Sequence, residues 1–267
     1  MNIGIVGKGF VGTAISDGFK TQGHDTICHD VRLETNIRDV LNTPITYICV
    51  PTPSAPNGDC DTSIVKSVLE ELYSLQYKGS VCVKSTVKPG SIDKWKEKFG
   101  KVLNISFVPE FLRERCAAFD FIHNNNVLVI GTDDDETESL VRECHGVLPT
   151  HTVVMKPIEA ELMKYFSNSY KAMRVTFANA FYKICQKVDA NYDVVKDTFL
   201  FHGIGDGHYL KVNKKFGGFG GTCLPKDTKG LVNLVKDLDL DIELFNTIIR
   251  DNDKFTNVSN KENREEI

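Results

Sequence analysis

No Cys-x-x-Cys pair occurs in the 267 residues, although eight cysteines are scattered from Cys28 to Cys223. Several, such as Cys49 and Cys82, sit inside apolar runs. That pattern excludes a disulfide framework and a zinc site and reads as reduced, buried thiols. The seven histidines show no ligand spacing, so no metal is expected. No apolar run approaches the roughly 18 residues that a membrane span needs. There is no basic excess either. A net charge of −4 and a pI near 6.0 argue against nucleic acid or a membrane surface as partner, so an anionic ligand requires a local basic patch. The chain enters a strand-like run within its first residues, so no signal peptide and a cytoplasmic location are expected. Internal repeats and long linkers are missing. What is present is ordinary for a globular protein. Apolar residues make up 41% and charged residues 25%, enough for a real core in one large or two modest domains.

The first half alternates strand and helix patterns. Residues 3–6 form a short apolar run, followed by Gly7-x-Gly9-x-x-Gly12, a helical pattern to about Gln22, a strand over Asp25–His29 and then Asp30. Strand, glycine turn, helix, strand and acid come in the order that a dinucleotide site requires. Gly7 makes the tight turn, Gly9 admits a pyrophosphate and Gly12 lets helix pack on strand. Asp30 can take both ribose hydroxyls, which favours NAD over NADP, although Arg32 lies close by. Further strands are expected over 46–50, 80–85, 104–108, 126–130 and 152–155. Helices are expected after Asp61 or Thr62, over Ser91–Phe99 and from the acidic segment 133–138. This predicts an α/β, doubly wound, Rossmann-like parallel sheet over 1–156, with ligands at the carboxyl ends of its strands. Thr52, Thr86 and Glu110 fall at such ends. Glu110 and Glu114, four apart, share a face if they lie on a helical turn. Like charges that close raise one pKa, as acid–base work requires; a capped, solvated turn with Arg113 as partner explains them equally well.

Residues 157–188 contain no glycine, and no proline after the first position. Leu162, Tyr165, Phe166, Tyr170, Met173, Phe177, Phe181 and Ile184 recur at helical spacing, and the plain reading of that stripe is core packing. A helix of this length links two lobes or packs against a second copy. Lys164 and Asn168 stand one turn apart on it. Shorter helices are expected over 192–200, 226–238 and 242–255. Residues 157–257 therefore read as the long central helix and a small all-helical dimerisation region, with a polar tail over 258–267.

The most informative stretch is 216–228. Gly217, Gly218, Gly220 and Gly221 precede a single Cys223, then Pro225, Lys226 and Asp227. Pro225 suits a first helical turn, which places Cys223 beside a helix N-terminus where the dipole favours a thiolate. Set alone, such a cysteine is more often inert and buried; its neighbours tip the reading towards chemistry.

Six stretches together resemble the UDP-glucose/GDP-mannose dehydrogenase family: residues 7–12, 49–53, 84–87, 109–114, 161–168 and 220–227, in matching order over about residues 1–255. The resemblance implies a cytoplasmic, NAD-dependent, four-electron oxidation of the C6 alcohol of a nucleotide sugar, by way of an aldehyde captured on Cys223 and a thioester. It implies that Thr86 and Asp227 hold a water as base, that Lys164 and Asn168 stabilise the oxyanion, and that Glu110 activates the hydrolytic water. Gly7, Gly9, Phe10, Val11, Gly12, Asp30, Thr52, Thr86 and Glu114 are implied at the cofactor. Glu110, Phe111, Leu112, Lys164, Asn168, Phe219 and Gly220 are implied at the substrate, and a homodimer through the long helix is expected. Two departures stand out. The chain stops where the family's second α/β domain is expected. The family's arginine before the glycine loop is missing from the run Gly203 to Asp206. Lys211, Lys214 and Lys215 are expected to supply that charge.

Two other readings remain. A β-hydroxyacid-type dehydrogenase shares the plan and the Lys/Asn pair but needs no nucleophilic cysteine, and yields one NADH per product where the first reading yields two. A non-catalytic NAD-binding or assembly protein yields none.

Overall fold

The computed structural model describes residues 1–203, 205–213 and 217–255. They divide into two compact units: Met1–Pro53 with Cys60–Lys164, and Ser54–Asp59 with the residues from Tyr165 on. The expected tail over 258–267 lies outside the described residues.

The first unit holds a seven-stranded sheet: β1 (Asn2–Val6), β2 (Asp25–His29), β3 (Ile45–Ile48), β4 (Ser80–Val83), β5 (Asn104–Phe107), β6 (Val127–Gly131) and β7 (His151–Met155). Their order is β2-β1-β3-β4-β5-β6-β7, so strand order reverses between β1 and β3, the place where such sheets open a crevice. The central strands are apolar on both faces because helices cover both. On one face α1 (Phe10–Thr21), α4 (Ala117–His123) and α5 (Asp135–His145) bury Ile15, Phe19, Phe121 and Val141 against Ile3, Ile5 and Tyr47. On the other, α2 (Ser63–Ser74) and α3 (Ser91–Phe99) bury Leu69, Leu72, Trp95 and Phe99 against Val81, Val83 and Ile105. Each fully buried side chain of this size contributes about 1.5–3 kcal/mol.

The parallel sheet expected from the alternating pattern holds for β1 to β5. It fails at β6, which pairs antiparallel to β5 through Phe107 and Gly131, while β7 runs parallel to β6. Gly131 permits that approach: a side chain there would press on the Phe107 carbonyl at 3.0 Å and on Ala160 at 2.7 Å.

The second unit contains most of α6 (Pro157–Lys187), with α7 (Tyr192–Phe201), α8 (Leu224–Asp237) and α9 (Leu244–Phe255). The apolar stripe of α6 was expected to face a core, and here the structure corrects the sequence. Tyr165 is buried, but Phe166 is 71% exposed and Phe177 60%, and Leu162, Tyr170, Phe181 and Ile184 are exposed with them. The inward face carries smaller and polar residues instead: Ala172, Thr176, Ala178, Asn168 and Asn179. Small side chains are needed there because other backbone comes close. A Cβ on Gly230 of α8, for example, would stand 3.0 Å from the Tyr165 ring. No helix among the described residues is long and apolar enough to cross a membrane.

One buried group gives the first unit a measurable pH response. His145 is fully enclosed among Phe19, Tyr47 and Phe121. Its Nδ1–H donates to the Val141 carbonyl at 2.8 Å, and its Nε2 has no partner among the described residues. Burial pushes its pKa down to about 3, and nearby Lys84 adds to the effect. The unfolded chain therefore takes up a proton that the folded chain refuses. Stability is full above about pH 6.5 and falls with pH below it, by up to about 1.4 kcal/mol per unit from this group. Thermal midpoints measured between pH 6.5 and 4 should flatten in His145→Phe relative to the unaltered chain; parallel curves would contradict the assignment.

Candidate active site

In the first unit the functional side chains expected from sequence gather on the loops after β1 to β5. Gly7 has φ +98°, and the space of its missing side chain is taken by the Cys49 carbonyl, 2.6 Å from where a Cβ would stand. A Cβ on Gly12 would overlap the Gly7 carbonyl. A Cβ on Gly9 would meet nothing within 4 Å, and Gly9 caps α1 without any side-chain bond to the first-turn amides. A bare backbone with open amides at a helix N-terminus is what a pyrophosphate requires, so these residues fit a dinucleotide. A cleft of about 540 Å³ opens here, lined among others by Lys8, Gly9, Phe10, Arg32, Glu114 and Arg115. Val11 lies half-buried against the sheet, and Thr52 is half-buried after β3.

Asp30 stands at the end of β2, as expected, but its carboxylate is already engaged. Oδ2 accepts from the Lys8 N–H at 2.7 Å and Oδ1 from the Arg32 N–H at 2.9 Å, while the Arg32 guanidinium forks onto both oxygens. Arg32 accordingly holds the Asp30 carboxyl well below the usual carboxylate range. A ribose diol can bond to Asp30 only in exchange for part of that fork.

After β5 the structure corrects a second expectation. Residues 109–113 are not helical, and only a single 3-10 turn, Glu114–Cys116, follows. Glu110 and Glu114 therefore do not share a helix face. Glu110 pairs with a cation. Lys164 donates to its carboxylate at 2.8 Å and to its backbone carbonyl at 2.5 Å, and stands over the Phe111 ring at 5.6 Å. The Leu112 N–H donates to the other carboxylate oxygen at 2.6 Å. Burial alone would raise the Glu110 pKa; the Lys164 charge and hydrogen bond, the Leu112 N–H and Lys84 outweigh it and hold the carboxyl below its ordinary value. Thr86, after β4, is buried, and its carbonyl accepts from the Cys60 thiol at 3.2 Å.

In the second unit the glycine loop ends on Cys223. Gly218 and Gly221 have φ +69° and +81°, left-handed conformations that glycine adopts without strain. Asn179 accepts from the Gly218 N–H, and Asn252 brackets the Phe219 peptide by accepting from its N–H at 2.6 Å and donating to its carbonyl at 3.0 Å. Cys223 is exposed and stands at the N-cap of α8, with Pro225 in the first turn. Burial pushes the Cys49 and Cys144 thiols up to about 12, which disfavours their thiolates at neutral pH. Asp227 is buried and accepts from Asn168 at 2.5 Å and from Lys226 at 2.7 Å. The Phe219 ring packs with Ala172, Val175 and Ile248, and the residue is buried beside half-buried Gly220. Lys211 is exposed; Lys214 and Lys215 lie outside the described residues.

Sequence reasoning missed Lys84, Arg115, Glu161, Asn179 and Asn252. Lys84, Glu161, Asn179 and Asn252 act through contacts distant in sequence, and Arg115 lines the cleft. Lys84 and Asn179 show in the chain as lone polar residues in apolar runs, and Lys84 and Glu161 lie inside stretches that carry the resemblance. The Glu110–Lys164 pair is the most exacting of the contacts, since both groups are nearly enclosed. Removing one partner leaves the other buried and uncompensated, so Lys164→Met should cost about 3–5 kcal/mol in denaturant unfolding. Lys164→Met combined with Glu110→Gln should recover part of that loss; a double variant as unstable as the sum of the singles contradicts a direct pair.

Comparison with known proteins agrees with this geometry. Residues 31–148 match the family model for the UDP-glucose/GDP-mannose dehydrogenase family, NAD binding domain, and residues 158–254 match that for the central domain of the same family. A UDP-glucose 6-dehydrogenase of Rickettsia typhi is 30% identical over 297 residues, which cover 94% of this chain and 67% of that protein. A GDP-mannose 6-dehydrogenase of Pseudomonas aeruginosa is 29% identical over 304 residues, covering 94% and 68%. A solved UDP-glucose dehydrogenase from the archaeon Pyrobaculum islandicum superposes with a TM-score of 0.86 at 26% identity, covering 95% of this chain and 68% of that one. The chain spans about two thirds of the length of the curated relatives it matches. A sheet with a bare glycine turn, a buried Lys–Glu pair and an exposed cysteine at the end of a glycine loop agree with matches along most of the chain: it belongs to the UDP-glucose/GDP-mannose dehydrogenase family.

Proposed function

We propose that the chain oxidises the C6 alcohol of a nucleotide-linked sugar to a carboxylate in two two-electron steps, with UDP-glucose as substrate and UDP-glucuronate as product. The observation that carries this reading is the placement of Cys223, the exposed cysteine at a helix N-cap. Bound NAD supplies the electron acceptor, and two molecules are consumed for each product. The alcohol loses its proton to a water base, a role the family resemblance assigns to Thr86 and Asp227, and with two electrons given to the acceptor an aldehyde results. The Cys223 thiolate adds to that carbonyl carbon, and Lys164 and Asn168 donate to the resulting oxygen. Loss of two more electrons leaves a thioester. Water then attacks it and releases the acid and the thiol. Glu110 is assigned the role of base for that water: its pair with Lys164 keeps the carboxyl ionised, with an oxygen to accept the proton. Lys211, Lys214 and Lys215 contribute positive charge towards the diphosphate.

The exposed stripe of α6 supports a second part of the reading. Phe166, Tyr170, Phe177, Phe181 and Ile184 form an apolar face too large to leave in water, and a second copy of α6 covers it. Phe177→Asp with Phe181→Asp should shift sedimentation from dimer to monomer; a dimer in both forms contradicts the assignment.

The test of activity is NADH release with UDP-glucose, GDP-mannose and UDP-N-acetylmannosamine. Two NADH per UDP-glucose are expected, and Cys223→Ser should lower carboxylate formation by on the order of 10³-fold or more, as loss of a nucleophile does. One NADH per product would point to simple alcohol oxidation, and none with all three sugars would leave a binding protein.

A further inference from the structure

Glu161 is a buried carboxylate that the proposed chemistry does not use. It lies in the first turns of α6, is 1% exposed, and sits three residues before Lys164. Its carboxylate reaches the start of α3. The Gly90 N–H donates to one oxygen at 2.6 Å and the Ile92 N–H to the other at 3.0 Å. Helix α3 has no cap of its own: the N-cap residue is Gly90, with φ +87° and no side chain. A left-handed residue followed by helical ones turns successive amides towards one point and makes an anion nest. Here the anion comes from another helix. Burial pushes the Glu161 carboxyl up to about 7, against the pull of the Ile92 and Gly90 amides.

The loop held in this way runs from Lys84 to Gly90 and carries Thr86. Lys84 ties the start of the same loop to the segment after β5, donating to the Val108 and Pro109 carbonyls at 3.2 and 3.3 Å. Lys164 ties that segment to α6 through Glu110. Three elements of the first unit are thus joined pairwise by three buried charged groups, and Glu161 closes the triangle.

We propose that Glu161 is a positioning residue: its carboxylate fills the amide nest of α3 and so fixes the Thr86 loop in register with Lys164 and Glu110. The role rests on the activity proposed above, but the contact itself does not. Glu161→Gln keeps the shape and replaces one acceptor by a donor that faces an N–H. Gly90→Ala strains the nest from the loop side without touching α6.

Hydrogen exchange and kinetics together decide the matter. In both variants the amides of Gly90 and Ile92 should lose protection while those of Val81 and Val83 in β4 keep theirs. The kcat for the nucleotide sugar should fall about tenfold to 10²-fold, the scale of a small misplacement, while the Kd for NAD by calorimetry stays within about twofold. The double variant should be no slower than the slower single one. Unchanged exchange in both variants overturns the contact whatever the activity. Lost protection with unchanged kcat, or additive losses in the double variant, overturns the positioning role. If Glu161→Gln does not fold, Gly90→Ala alone carries the same readouts. If the unaltered chain oxidises none of the sugars, the proposed activity fails while the exchange data still report on the contact.

Discussion

A buried ammonium set against a buried carboxylate organises the chemistry of the first unit. Lys164 and Glu110 are both nearly enclosed, and each would be costly to bury alone. Their pairing holds the Glu110 carboxyl below its ordinary value, against the pull of burial. It also anchors the first turns of α6 to the segment after β5. The rest of that region follows from the same constraint. Phe111 covers the ammonium, the Leu112 amide takes the second carboxylate oxygen, and Lys84 neighbours both.

The second unit solves a different problem. A loop of glycines has little side-chain surface with which to define itself, so its shape must come from outside. Asn179 on α6 and Asn252 on α9 hold the loop by its peptide groups. The result is a fixed backbone that ends in an exposed cysteine at a helix start. This explains why the inward face of α6 is polar and small and its large aromatics face outward. The face that serves the loop has no room for them.

Much of this was legible in the sequence where local rules decide. The bounds of β2 and α3 follow from apolar runs and from the residues that end them, and the roles of Gly7 and Gly12 follow from close backbone approach. Glu110 and Glu114 were misread as helical neighbours because the competition for backbone amides is hidden in sequence. The Leu112 amide is taken by the Glu110 side chain, and the Arg113 amide by Asp120, so the turn cannot wind as a helix. The α6 stripe was misread for another reason. Periodicity reports that a face is apolar, not what covers it. Glu161, Asn179 and Asn252 were invisible because their partners are tens of residues away.

The central claim is that Cys223 becomes covalently bonded to the oxidised sugar carbon. Mass spectrometry of Glu110→Gln, quenched during turnover with UDP-glucose and NAD, tests it most directly, since the proposed role of Glu110 has that variant slowed at hydrolysis. The account predicts that the Cys223 peptide carries the mass of the nucleotide-linked uronyl group, and that added hydroxylamine removes it. An unmodified Cys223 peptide in a chain that is turning over would contradict the account.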